Sequence, residues 1–363
     1  MRNEKRKNKG IVKQVKKVLC LLLLTGLCVN IAPFRSYAAN TIVGEMRYSY
    51  TNRSAQLAYT LKNVPNSNLK IQNFYVTSNY VYTTQRIAAS GDKRRDDVAF
   101  SRFAINEKQK TATYKDSMTL LNCGHGEVLD RYSYKGNYYF LVGTKPYDDR
   151  EQQYWSLQVG RVKYTPGTKL NYTKVCRLAG LASANKSGKS DMEAVRVAAA
   201  TSGDNTLLAI RTELIKGDKE YVQYSTYNLN QVDVQLDKVE NKSKNYLLFG
   251  GNASLKTACK YSFIQTKGQA VTPNDSFQGM EISGAYIYVA GGKGAGQYPR
   301  IAKIRCADGK FVSGVNMSTG KLSNGNDFIL KGKEMEGLCC RDTKMYFAIK
   351  NDKEQSIQYI KKF

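Results

Sequence analysis

Five times between Gln72 and the C-terminus the chain returns to one pattern: a glutamate or glutamine, a small or aliphatic residue and an apolar one, then two short strands separated by turns. The clearest copy is Phe277 to Cys306. Gln278-Gly279-Met280 opens it, Ser283 and Gly284 turn it, Tyr286 to Ala290 alternates as a strand, and Arg300 to Arg305 forms the next strand after a glycine-rich turn. The same opening occurs at Gln72-Asn73-Phe74, Glu127-Val128-Leu129, Glu193-Ala194-Val195 and Glu336-Gly337-Leu338. Strands follow these at Tyr80–Tyr82, Tyr138–Val142, Leu207–Ile210 and Met345–Ile349, and third strands at Ser101–Ile105, Leu157–Val162, Tyr221–Tyr227 and Ser356–Ile360. The openings lie 55, 66, 85 and 58 residues apart, irregular gaps that each suit about four strands with turns. The pattern predicts an all-β fold, a five-bladed β-propeller, with a β-sandwich as the alternative arrangement of many short strands.

A ring of blades must join its last blade to its first. The chain ends on a strand, which leaves the fifth unit without an outer strand, and Thr41 to Lys62 alternates as two strands able to supply it. The expected propeller therefore occupies residues 39–363 as one domain. Helical signals are scarce. The longest insertion is expected between Asn228 and Lys260.

Residues 1–38 read as a secretory leader. Basic residues precede an apolar run from Val18 to Ala32, and small residues around Ser36-Tyr37-Ala38-Ala39 offer a cleavage site. The expectation is a secreted, extracellular protein with no transmembrane segment after cleavage. The whole chain has 56 basic and 30 acidic residues; removing the nine basic and one acidic residue of 1–38 leaves a surplus of 18 positive charges. Such a surplus favours anionic partners through salt-sensitive encounters. For an exported chain these are envelope partners, namely teichoic acid, peptidoglycan glycan or anionic lipid, with no specific nucleic acid. Six cysteines remain beyond residue 38, readable as disulfides or as buried thiols.

His125 is the only histidine, which excludes any chemistry that needs two imidazoles; no metal and no cofactor is expected. It lies in a Gly-His-Gly turn beside Cys123, where holding the turn is the plainer role. Gly188-Lys189-Ser190 lacks the first glycine of a phosphate-binding loop, and the 291–296 glycine run reads as a hairpin loop. The candidate ligand-binding residues are Gln72, His125, Glu127, Glu193, Gln278 and Glu336, the Glu/Gln set ringing one mouth of the channel. No catalytic residue is assigned outright. Under a glycosidase reading, two of Glu127, Glu193 and Glu336 would flank the scissile bond. Under a structural reading, each side chain of the ring satisfies a backbone N–H of the next blade.

The runs SMTLLNCGHGEVLDRY, YYFLVGTKPY and YWSLQVGRVKY, between Ser117 and Tyr164, resemble the Met-Thr-Leu, Gly-His, Gly-Thr-Lys and Arg-Val motifs of the helveticin J family of large secreted bacteriocins. FQGMEISGAYIYVAGG and MEGLCCRDTKMYFAI are similar to that family's C-terminal pattern. The resemblance runs from Gln72 to Phe363 and implies killing or lysis of related bacteria. It brings no catalytic residues with it. A propeller glycosidase on envelope sugars and a non-lytic lectin are the other readings.

Overall fold

A computed structural model of the protein describes residues 48–88, 96–147, 153–292, 294, 296–351 and 354–363. The leader expected at 1–38 lies outside the described residues. The strands are β1 (Thr51–Ser54), β2 (Gln56–Lys62), β3 (Asn73–Val76), β4 (Tyr80–Ile87), β5 (Asp97–Asn106), β6 (Thr111–Leu121), β7 (Leu129–Tyr134), β8 (Asn137–Pro146), β9 (Ser156–Val162), β10 (Lys169–Asn171), β11 (Cys176–Ala179), β12 (Glu193–Thr201), β13 (Leu207–Lys216) and β14 (Lys219–Asn228). After helix α1 (Leu229–Asp237), β15 (Tyr246–Leu248) and helix α2 (Ala253–Ala258) come β16 (Cys259–Thr266), β17 (Gly279–Ser283), β18 (Tyr286–Gly291), β19 (Arg300–Arg305), β20 (Phe311–Lys321), β21 (Asp327–Ile329), β22 (Met335–Arg341), β23 (Lys344–Lys350) and β24 (Gln355–Lys361).

The pairing gives four-stranded meanders, blade I (β3–β6), blade II (β7, β8, β9, β11), blade III (β12, β13, β14, β16), blade IV (β17–β20) and blade V (β22, β23, β24, β2). Their first strands touch in a closed cycle, β3 to β7 to β12 to β17 to β22 and back to β3. Strand alternation explains the core. Val197 and Ala199 of β12 join the cluster shared with blade II, whereas Ala198 and Ala200 join the one shared with blade IV. Three further clusters lie between blades IV and V, V and I, and I and II. Each blade is thus buried on both faces, which suits its short runs of apolar and aromatic residues.

The small residue in the repeated opening has a steric cause. A Cβ on Gly279 would lie 2.9 Å from the Gly337 backbone, and one on Gly337, whose φ is +65°, would lie 2.4 Å from Asn73 Oδ1. Inner strands converge near the axis, and there is no room for a side chain at these points. Gly279→Ala should therefore cost about 1 to 3 kcal/mol, read as a lower urea midpoint, because the obstructing atoms are backbone and cannot swing aside. An unchanged midpoint would refute this reading.

Closure differs from expectation in one respect. β2 does complete blade V, with Tyr59 opposite Ile357 of β24. It also runs parallel to β6, Thr60 beside Thr111, so blades V and I share one continuous sheet. β1 instead adds to blade IV, parallel to β20, and Tyr48 stacks on Phe311 at 4.5 Å. Only one of the two N-terminal strands closes the ring. The insertion between Asn228 and Lys260 holds α1, β15 and α2. Leu229, Val232 and Leu236 of α1 pack into the cluster between blades II and III. All six cysteines beyond residue 38 are free thiols, five of them buried.

Candidate functional site

The inner-strand openings converge on a cavity of about 580 Å³ to which every blade contributes. Gln72 enters from the approach to β3, and His125 and Glu127 from the link before β7. Arg196 comes from β12, Gln278 from the residue before β17, and Glu336 from β22. Of the six residues expected to bind a ligand, Gln72, His125, Glu127, Gln278 and Glu336 line this one space. Glu193 does not. It is exposed at the far end of β12 opposite Ile215, and a bulge between Ala194 and Arg196 shifts the register so that Arg196 holds the equivalent place. Three residues along, Arg196-Val197-Ala198 repeats the polar, aliphatic, apolar order with an arginine where the other blades have Glu or Gln. That signal is legible only to a search that admits a cation.

The ring does not stitch blade to blade in the way the structural reading required. Glu127 Oε1 accepts the Ser156 N–H at 3.3 Å, within its own blade. Gln278 Nε2 donates to Glu334 Oε1 at 3.0 Å and to Ser276 Oγ. Gln72 and Glu336 make no side-chain hydrogen bond among the described residues. Only Arg196 reaches a neighbouring backbone, its Nη2 donating to the Phe277 carbonyl at 3.1 Å. Other groups sew the blades together. Asn73 Nδ2 and Thr84 Oγ1 donate to the Glu127 and Gly126 carbonyls, each at 2.7 Å, and Asp130 accepts from both the N–H and the hydroxyl of Thr201.

Burial sets the electrostatics of the cavity. Glu127 is 5% exposed and its Oε2 has no partner, so desolvation pushes its carboxyl up to about 7 against the pull of Arg196. Glu336 is raised well above the usual range by burial and then by neighbouring Glu334. Glu213, which faces Arg196 across the β12–β13 pair, goes the other way. Burial opposes its ionisation, but Arg211 Nη1 at 2.6 Å and Arg196 Nη1 at 3.8 Å outweigh it and hold the carboxylate at about 2. Below about pH 7 the cavity therefore combines protonated carboxylic acids with an ionised carboxylate. Its cations are largely compensated, Lys70 by Glu334 and Arg211 by Glu213.

Trp155, the only tryptophan, organises one wall. The His125 ring stacks on it at 4.1 Å and the Arg196 guanidinium lies 3.6 Å from its centre. Two groups this close cannot share a face, so Trp155 is sandwiched between them and acts as a spacer. His125 Nδ1 lies 2.7 Å from the Gln153 carbonyl, a contact that requires Nδ1–H and leaves Nε2 as an acceptor. Burial lowers the imidazole to about 3, so it is neutral at physiological pH. Cys123 is fully buried and its thiol is pushed up by burial, which removes it as a nucleophile partner for His125. Among the described residues there is no group of His, Cys, Asp and Glu suited to a metal ion.

The fold and site define an all-β protein of propeller type with a polar cavity where its inner strands converge. The family pattern of bacteriocin helveticin J matches residues 49–307, and the chain belongs to that family. No curated protein matches it in sequence. Similar solved structures include an exo-β-1,3-galactanase from Phanerochaete chrysosporium (8% identity, TM-score 0.42, 85% of this chain and 64% of that one). A mannose phosphorylase from Leishmania mexicana is similar at 11% identity, TM-score 0.41, over 89% and 92% of the two chains. Drosophila semaphorin 2a is similar at 9% identity, TM-score 0.31, over 80% and 54%.

Proposed function

We propose that this bacteriocin-family protein is secreted and acts on the envelope of related bacteria, recognising a glycan through the axial cavity. The supporting observation is a pair of buried polar atoms with no partner, Glu127 Oε2 and Arg196 Nε, in residues that line one cavity. Unpaired buried groups are costly, and a hydroxyl-rich ligand supplies both acceptors and donors to them. Gln72, Gln278 and Glu336 extend the same hydrogen-bonding surface. The basic surplus acts separately: cavity cations already face carboxylates, so the remaining positive charge serves diffuse attraction to anionic wall polymers. Among the described residues no helix is long and apolar enough to cross a membrane.

Binding to isolated bacterial walls tests both parts. Raising salt from about 0.05 to 0.5 M should weaken binding severalfold by screening the diffuse attraction. Glu336→Met should weaken it about tenfold, the order expected for one lost hydrogen bond to a polar ligand, while leaving the melting temperature equal or higher because an unpaired buried carboxyl is removed. Wall affinity unchanged in Glu336→Met would remove the cavity from the reading. A zone-of-killing assay with the same two proteins links binding to antibacterial action.

A further inference from the structure

We propose that the axial cavity also cleaves a glycosidic bond, with Glu127 donating the proton to the leaving oxygen and Glu213 receiving the proton of the attacking water. This rests on the reading of the cavity as a glycan site. Both carboxyls line the same cavity, Glu127 before the first strand of blade II and Glu213 on the second strand of blade III. Each has one oxygen anchored and one unengaged. The Ser156 N–H holds Glu127 Oε1 while Oε2 is buried without a partner. Arg211 holds Glu213 Oε1 at 2.6 Å, and Glu213 Oε2 makes no hydrogen bond among the described residues. Fixed orientation with a free reacting oxygen is what proton transfer to and from a bound ligand needs.

The two environments also separate the roles. Burial keeps Glu127 protonated up to about 7, and the two guanidiniums keep Glu213 ionised down to about 2. A pair of carboxyls driven apart in this way is poised as acid and base over the whole interval between. In the step, water oxygen forms its bond to the anomeric carbon as the bond from that carbon to the leaving oxygen breaks. The released electron pair on the leaving oxygen takes the Glu127 proton, and Glu213 takes a proton from the water. One water is consumed, a hemiacetal and an alcohol are formed, and solvent returns the proton from Glu213 to Glu127. Arg196, pinned on Trp155 and by the Phe277 carbonyl, lies 3.8 Å from Glu213 Oε1 and helps to hold that carboxylate in place.

The substrate class is a pyranose glycan with an uncharged sugar at the cleavage point, because the cationic side chains of the cavity already face acids. The test uses isolated bacterial walls and a soluble panel of pyranose oligosaccharides as probes, with reducing ends and wall binding measured on the same samples. Wild-type protein should release new reducing ends. Glu127→Gln and Glu213→Gln should each lower that release at least 100-fold with wall binding kept within about threefold, and Glu193→Gln, outside the cavity, should match wild type. The wild-type rate should fall as pH rises past about 7, where Glu127 loses its proton. If one variant fails to fold by thermal melt, the other decides. Binding without any new reducing ends overturns the inference and leaves the glycan-binding reading standing; release unchanged in a folded Glu127→Gln or Glu213→Gln variant overturns the assignment of roles. Absence of binding to every probe overturns both readings.

Discussion

Arg161→Ala is expected to lower the free energy of unfolding by about 3 to 5 kcal/mol, among the largest single-residue losses in the molecule. The Arg161 side chain, on β9, is 0% exposed and serves three acids of the 229–240 segment. Its Nη1 donates to Asp233 Oδ1 at 2.8 Å, and its Nη2 to Asp237 Oδ1 at 2.9 Å and Glu240 Oε2 at 2.7 Å. Tyr132 and Tyr134 add hydroxyl donors to Asp233 and Asp237, and Tyr139 lies 4.8 Å from the guanidinium. Without Arg161, fully buried Asp233 keeps a tyrosine hydroxyl but loses its countercharge. Asp237 and Glu240, about a third exposed, are rehydrated and contribute less. The magnitude is therefore mostly the penalty of an uncompensated buried charge, and a second substitution can cancel it. Arg161→Met combined with Asp233→Asn, which keeps an acceptor for Tyr132, should recover most of the loss. Urea unfolding of the single and double variants measures the coupling; a single variant within 1 kcal/mol of wild type would show that α1 is held by its apolar face alone.

Thermal stability should peak near pH 4.5 and decline toward pH 8, contrary to the habit of proteins whose carboxylates are paired. Glu127 and Asp130 have folded values of about 7 and about 6, each raised first by burial, and Glu281 and Glu336 are raised well above the normal range for the same reason. A raised carboxyl contributes stability that is complete below its unfolded value, near 4 to 4.5, and is lost as pH climbs through its folded value. For Glu127 alone the loss is about 3 kcal/mol. His125 opposes this: with its folded value lowered to about 3 by burial, it costs stability as pH falls from 6.5 toward 3. One imidazole against four carboxyls leaves stability rising from pH 7 to about 4.5. Below that His125 continues to act, and the stability contributed by Glu213 and Asp237, whose carboxylates are held near 2 by arginine or lysine partners despite burial, is lost as the unfolded chain takes up protons and the pH falls toward 2. Glu127→Gln should match wild type at pH 4.5 and exceed it at pH 8 by up to about 3 kcal/mol, since glutamine has no charge to bury. A melting temperature that is flat or rising from pH 4.5 to 8 would contradict the assignment.

Periodicity located the first three strands of each blade, because alternation and turn residues are local properties of the chain. Tyr286–Gly291, Arg300–Arg305 and Gln355–Lys361 stand where the alternating runs placed them, and the residue after Gln278 and after Glu336 is glycine where inner strands meet without room for a side chain. The same pattern brought Gln72, Glu127, Gln278 and Glu336 to one cavity, since a side chain at a fixed point of a repeated unit reaches the same place in every blade. Glu193 escaped that logic because a single bulged residue in β12 moves the whole register, and a bulge leaves no mark in residue type. Glu213 was illegible for another reason. It belongs to a second strand, and its importance comes from Arg211 and Arg196 beside it. The sandwich of Trp155 between His125 and Arg196, the parallel docking of β1 on blade IV and the capture of α1 by Arg161 likewise join residues tens to hundreds of positions apart. Strand positions and most of the inward-facing chemistry follow from short-range sequence, whereas which strands pair across the chain and which carboxyl holds its proton are decided by burial and neighbours that only the closed ring assembles.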